Sequence, residues 1–172
     1  PPYVGLEAFE GERAGFIAGR DGDIAQLVAT LADRRAVFLS GPSGCGKSSL
    51  AIAGVAAAID RELLDDTDGW RACVIRPSDG HDVLARSGGD EEKRREDGTG
   101  GVVIVDQFEE VMGLDDDERR RFCAAVADLV EGKAAMVVAG ERCGRRDAVR
   151  LIATVRDDLL GAVAALPELR RI

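Results

Sequence analysis

Three strings in this sequence carry the residue types of phosphate chemistry. The first is Gly41-Pro42-Ser43-Gly44-Cys45-Gly46-Lys47-Ser48-Ser49. A triphosphate presents many anionic oxygens, which only unobstructed backbone N–H groups surround closely, and the glycines at 41, 44 and 46 leave room for that approach. Lys47 would reach the β- and γ-phosphates, and the Ser48 hydroxyl would bind Mg²⁺. Gly41, Ser43, Gly44, Cys45, Gly46, Lys47, Ser48 and Ser49 are thus the candidate nucleotide-binding set. The second string, Val102-Val103-Ile104-Val105-Asp106-Gln107-Phe108-Glu109-Glu110, ends a β-branched run in an acid. Asp106 is the candidate magnesium carboxylate, shared with Ser48. Glu109 and Glu110 are candidates for the base that positions a hydrolytic water, Glu110 being preferred. The third, Val149 to Arg156, ends in an arginine that either senses the γ-phosphate or pairs with Asp157 or Asp158.

These residues need particular supports. The apolar run Ala36–Leu39 before the glycine loop reads as a strand. After the loop Ile52, Val55, Ala56, Ile59 and Leu63 recur at helical spacing. That helix would direct its unpaired N–H groups and positive dipole end at the phosphates. Four consecutive β-branched residues, 102–105, predict a strand buried on both faces, as in a parallel sheet, with Asp106 at the carboxyl end where open α/β sheets hold ligands.

The remaining chain reads in order. Residues 1–20 form an extended arm anchored by Tyr3, Leu6, Phe9, Phe16 and Ile17, and the core runs from 21 to 172. Asp21 is expected to cap a helix lined by Ile24, Leu27, Val28 and Leu31, with Arg34 and Arg35 at its negative end. A turn at 65–69 precedes a strand containing Val74 and Ile75 that Pro77 ends. His81 reads as a surface residue, and 87–101 as a solvated, mobile charged loop. Asp115 and Glu118 have capping-box spacing. Beyond them Phe122, Val126, Leu129, Val130, Met136 and Val137 fit either one long helix ending at Cys143-Gly144 or a helix to Glu131 and a strand over 135–139. A final helical piece, with Leu159, Leu160, Val163 and Leu166, reaches Pro167.

At 172 residues the chain suits one ordinary domain, and with 4% aromatics its core must come from Ala, Val, Leu and Ile. The net charge of −9 argues against a broad nucleic-acid surface. Cys45, Cys73, Cys123 and Cys143 lack zinc or disulfide spacing and read as free thiols of a reducing, cytoplasmic compartment. No run approaches a membrane span and no signal peptide is present. The opening Pro1-Pro2-Tyr3 suggests a segment of a longer multidomain protein.

Taken together, the sequence resembles the ATPase core of STAND-class P-loop NTPases, specifically the bacterial novel STAND ATPases often joined to WD40 repeats or effector domains. The resemblance rests on Tyr3, Gly5, Leu6 and Phe9; on Phe16, Gly19 and Arg20; and on Gly41–Ser49. It continues through Trp70, Arg76 and Pro77, Asp106–Glu110, and Arg156 with Asp158. It implies an α/β fold: a five-stranded parallel β-sheet sandwiched by helices, with the sensor strand between the Walker A and Walker B strands. It also implies Arg20 and the arm near adenine, Asp106 on Mg²⁺, and ATP or ADP as ligand. Family members are signalling switches, in which ADP holds a closed monomer and ATP permits an open, oligomerising form that activates an effector. Two departures stand out. The sequence ends at Ile172, before the helical and winged-helix modules of better-known members, and 132–148 is longer than the usual link.

Two other readings share the P-loop. One is a small-molecule kinase, for which Arg94 and Arg95 are the candidate lid arginines. The other is a nucleotide-gated binding module without hydrolysis. GTP remains an alternative to ATP, because no base-reading motif is present beyond the arm.

Overall fold

In the computed structural model the described residues are 19–60, 71–79, 101–133, 136–138, 141–143 and 149–172. Most of the arm, the 65–69 turn with Trp70, His81, and the 87–100 charge run with Arg94 and Arg95 lie outside them. Helix α1 spans Asp21–Asp33, β1 Ala36–Gly41, α2 Lys47–Asp60, β2 Arg71–Ile75 and β3 Gly101–Val105. Helix α3 follows at Asp116–Val130, β4 at Met136–Val138, β5 at Glu141–Cys143, β6 at Val149–Arg156 and α4 at Asp157–Ala164. Short 3₁₀ turns lie at Pro77–Asp79, Phe108–Gly113 and Pro167–Arg171.

Four strands form one parallel sheet in the order β1-β6-β3-β2. The sensor strand β6 therefore lies between the P-loop and Walker B strands. The resemblance implies five strands; four are present among the described residues. Register places Gly41 beside Arg156 and Val105 beside Ala153, so the loop, the acid and the arginine emerge along one carboxyl edge.

The sheet is buried on both faces because β3 is apolar throughout and β6 is apolar apart from Arg150, Thr154 and Arg156. All five β3 residues are buried. Val102, Ile104 and Ile152 point toward Leu27, Leu31, Leu50 and Val55 of α1 and α2. Val103, Val105, Leu151, Ala153 and Val155 point to the other layer, with Phe122, Val126 and Leu129 of α3, Val163 of α4, and Leu169. Phe108 lies fully buried between Phe38 and Phe122, in edge contact with each at centroid separations of 5.9 Å. Aromatics are few, yet three of them meet at the point where the chain leaves β3. Between α1 and α2, Gly54 lets the helices approach: a Cβ there would come within 2.6 Å of Leu27 Cδ2.

Three local expectations resolve. Asp115 caps α3, its Oδ1 accepting from the N–H groups of Asp117 and Glu118 at 3.0 and 2.8 Å. Helix α3 ends at Val130 and a short antiparallel hairpin of β4 and β5 follows, so the helix-then-strand reading holds over the single long helix. Gly132, with φ 72, takes the left-handed conformation that stops the helix. Asp21, by contrast, is not the cap of α1. Arg20 occupies that position without a side-chain cap bond, its carbonyl accepting from the Ile24 N–H at 3.0 Å. The acid instead sits one position inside, where it still favours the positive dipole end. Arg34 and Arg35 likewise fall just past the last turn of α1. Arg35 Nη1 instead donates to the Val130 carbonyl at the end of α3, at 3.4 Å.

Cys45 and Cys123 are free thiols, the first exposed and the second buried on α3. Burial pushes the Cys123 thiol from 9.0 up to about 12, with Glu168 adding to the shift. The neutral thiol thus belongs to the fold. Its contribution is complete below pH 9.0 and is lost as the pH rises toward about 12. Labelling at about pH 8 should modify Cys45 and spare Cys123 until the chain unfolds; equal labelling rates by mass spectrometry would contradict the packed α3. Phe108→Ala should lower unfolding free energy by about 3–5 kcal/mol in a urea titration, as buried Phe truncations do. A loss under about 1 kcal/mol would contradict the aromatic cluster.

Candidate phosphate and magnesium site

The glycine loop joins the end of β1 to the start of α2. Gly44 and Gly46 have φ of 78 and 83, a left-handed backbone that other residues enter at a cost. Their conformation turns the chain so that α2 begins with Lys47. Gly46 also lies under Arg20, whose Nη1 would be 3.2 Å from an added Cβ. That nitrogen donates to the Cys45 carbonyl at 2.9 Å, while Arg20 Nε donates to Asp23 Oδ2 at 2.8 Å. Arg20 therefore ties the loop to α1. Lys47 Nζ folds back and donates to the carbonyls of Gly41 and Pro42, each at 2.8 Å.

Asp106 lies one residue beyond β3 and is only 5% exposed. A carboxylate that dry requires donors, and three side chains provide them. Its Oδ1 accepts from Ser48 Oγ at 2.5 Å and from Thr154 Oγ1 at 2.8 Å. Its Oδ2 accepts from Arg76 Nη2 at 3.2 Å. Its N–H donates to the Ile75 carbonyl at 2.8 Å, which extends the β2–β3 pairing by one step.

Gln107 then takes the left-handed region, φ 56, an uncommon conformation outside glycine. Its N–H donates to Thr154 Oγ1 at 2.9 Å. This reversal sends Phe108 into the core and leaves Glu109 and Glu110 on the 3₁₀ turn above the sheet edge. Glu109 Oε2 accepts from the Arg156 N–H at 3.3 Å, and Glu110 Oε2 from the Ser78 N–H at 3.4 Å.

An open pocket of about 380 Å³ occupies this edge. Ser43, Gly44, Lys47 and Ser48 line one side; Gln107, Glu109 and Glu110 line another, with Thr154 and Arg156 from β6. Asp106 lies behind Ser48. Arg20, Gly41, Cys45, Gly46 and Ser49 do not line the pocket. Arg156 makes two bonds to Asp158, Nε to Oδ1 at 3.0 Å and Nη2 to Oδ2 at 2.7 Å. That hydrogen bonding raises the Arg156 pKa and lowers that of Asp158. Arg156 thus pairs with Asp158, the partner that one of its two readings names.

The donor set fits magnesium. Mg²⁺ prefers oxygen ligands and is usually held by one or two carboxylates together with phosphates and water. Ser48 Oγ and Asp106 supply hard oxygens, and among the described residues no cluster of three or more His, Cys, Asp or Glu side chains forms a dedicated cage. An ion held there would polarise the phosphate oxygens of a bound nucleotide. Thr154, Gln107 and Arg76 were not given site roles from the sequence. The signal for Thr154 is a lone hydroxyl within the otherwise apolar run from Leu151 to Val155.

A strand, glycine loop and helix, facing a carboxylate one strand beyond the neighbouring strand of a parallel sheet, define a P-loop nucleoside-triphosphatase fold. The family model described as Novel STAND NTPase 1 matches residues 2–172, and the chain belongs to that family. Solved structures share the fold at low identity. A chain of the S. cerevisiae Hsp104:casein complex in its extended conformation matches at TM-score 0.50 and 20% identity, covering 86% of this chain and 24% of that one. A chain of the E. coli MS115-1 HORMA:CdnC:Trip13 complex matches at TM-score 0.50 and 17% identity, covering 93% and 59%. This chain thus spans less than two thirds of either. No curated protein matches it. Among the described residues no helix is long and apolar enough to cross a membrane.

Thr154→Val removes one donor from Asp106 and the acceptor of Gln107 N–H. Its expected cost is about 1–3 kcal/mol in denaturant unfolding without nucleotide. An unchanged midpoint would mean that Asp106 is not held by this hydroxyl.

Proposed function

We propose that this chain is an ATP-binding, slowly hydrolysing regulatory module of a STAND-type signalling switch. The observation that carries the reading is the Ser48–Asp106 contact at the pocket that Lys47, Glu109, Glu110 and Arg156 also line. In this reading the loop N–H groups and Lys47 bind the phosphates, and Ser48 and Asp106 hold Mg²⁺. One of the two glutamates orients the hydrolytic water. Lys47 exchanges its loop carbonyls for phosphate oxygens. Arg156 exchanges Asp158 for the γ-phosphate, so the ends of β6 and α4 differ between the triphosphate and diphosphate states. That difference is a route to an effector or sensor domain elsewhere in a longer cytoplasmic protein, or to nucleotide-dependent self-association. In this reading Arg20, bonded to the loop carbonyl, would face the adenine, as the family resemblance implies.

Calorimetry with Mg-ATP, Mg-ADP and Mg-GTP tests this. The chain should bind the adenine nucleotides, and Lys47→Ala should weaken binding roughly a hundredfold, equivalent to about 2–3 kcal/mol of charge-assisted contacts. A folded chain that binds none of them would refute the assignment. Phosphate release without an added acceptor then separates hydrolysis from phosphoryl transfer. Loss of release in Glu110→Gln or Glu109→Gln, with binding retained, identifies the hydrolase; no release from the unaltered chain identifies a non-hydrolysing switch.

A further inference from the structure

Arg76, just beyond the end of β2, has no part in the reading above, yet its guanidinium stands between the two acidic centres of the site. Arg76 Nη2 donates to Asp106 Oδ2 at 3.2 Å. The Gln107 amide, oriented so that donors meet acceptors, accepts from the same Arg76 nitrogen at 3.3 Å and donates to Glu110 Oε1 at 2.9 Å. The other oxygen, Glu110 Oε2, accepts from the Ser78 N–H, and Asp79 Oδ2 accepts from the Arg76 N–H at 2.9 Å. The bonds close a ring from Arg76 through Gln107 and Glu110 back to the Pro77–Asp79 turn. Glu109 lies outside it, bonded to the backbone of β6.

We propose that Arg76 is a positioning residue for nucleotide hydrolysis, fixing Glu110 through Gln107 as the carboxylate that orients the attacking water. This rests on the hydrolytic reading given above. The physical need is clear. Asp106 and Glu110 are anions at one sheet edge and would repel each other without a cation between them. A guanidinium with several donors in a rigid plane neutralises one carboxylate and, through an amide with a donor and an acceptor, orients the other. The left-handed backbone at Gln107 holds that amide in place between them. In the step served, the water oxygen bonds to the γ-phosphorus and the bond to the β–γ bridging oxygen breaks. The water proton passes to Glu110 and then to the released phosphate.

The test compares affinities for Mg-ADP and for Mg-ADP with aluminium fluoride, which mimics the phosphoryl group in transfer, by calorimetry. The variants are Glu110→Gln, Arg76→Gln, the double variant and Gln107→Asn. Asparagine tolerates the left-handed backbone but is one methylene too short to bridge, so it decides the question if Arg76→Gln fails to fold. Each single change should keep Mg-ADP affinity within about twofold and lose about tenfold or more of the gain that fluoride brings, as removing a supporting partner does. The double variant should lose no more than Glu110→Gln alone, because the two act as a unit. If Glu110→Gln loses the gain while Arg76→Gln and Gln107→Asn keep it, the inference falls and the hydrolytic reading stands. Losses that multiply in the double variant, or that equal the loss for Mg-ADP, likewise overturn it. No gain in the unaltered chain would remove the hydrolytic reading and this inference together.

Discussion

Among the described residues one carboxylate is buried, and the sheet edge is organised around it. Asp106 sits at the end of the driest strand, where an unpaired charge would cost several kcal/mol, and the chain meets that cost with a hydroxyl from α2, a hydroxyl from β6 and a guanidinium from the end of β2. Those three donors belong to three different elements. Satisfying Asp106 therefore requires β1 with its loop, β6, β3 and β2 to be in register at their carboxyl ends. The same requirement places Ser48 and Asp106 where a divalent ion can be shared. The fold's electrostatic problem and the candidate metal site are one arrangement.

The two apolar layers serve that edge. β3 and β6 offer side chains to both faces, and α1 with α2, and α3 with α4, cover them. With few aromatics, the core depends on β-branched residues and on close helix approach, as at Gly54. Phe38 and Phe122 pack against Phe108 at the start of the Asp106–Glu110 segment. Packing beneath that segment holds the left-handed Gln107 in place, and the strained residue in turn lifts both glutamates out of the core.

Charge at the pocket is balanced within the site. Lys47 rests on loop carbonyls, Arg156 on Asp158 and Arg76 on Asp106. Lys47 and Arg156 each have a protein partner that a phosphate oxygen could replace. The exposed Arg156–Asp158 pair holds little free energy, so exchange there is easy, whereas the Arg76–Asp106 contact is half-buried and harder to displace.

Much of this was legible in the sequence because it is local. The glycine loop declares itself by spacing within nine residues, β3 by its unbroken β-branched run, and α3 by Asp115 two and three residues before the N–H groups it caps. Where local signals compete, spacing alone does not decide between them. Asp21 has the residue type of a cap, but Arg20 takes the position, its side chain bonded to Cys45 across 25 residues. The run after Glu131 fitted two periods, and Gly132 with the β4–β5 hairpin decided between them. Ser48 and Asp106, 58 residues apart, are paired by their motifs, whereas tertiary structure alone brought Arg76 and Thr154 onto Asp106, from 30 and 48 residues away. A hydroxyl or a guanidinium carries no mark of its partner in the sequence; the partner is chosen by strand order and register, which bring distant carboxyl ends together at one edge of the sheet.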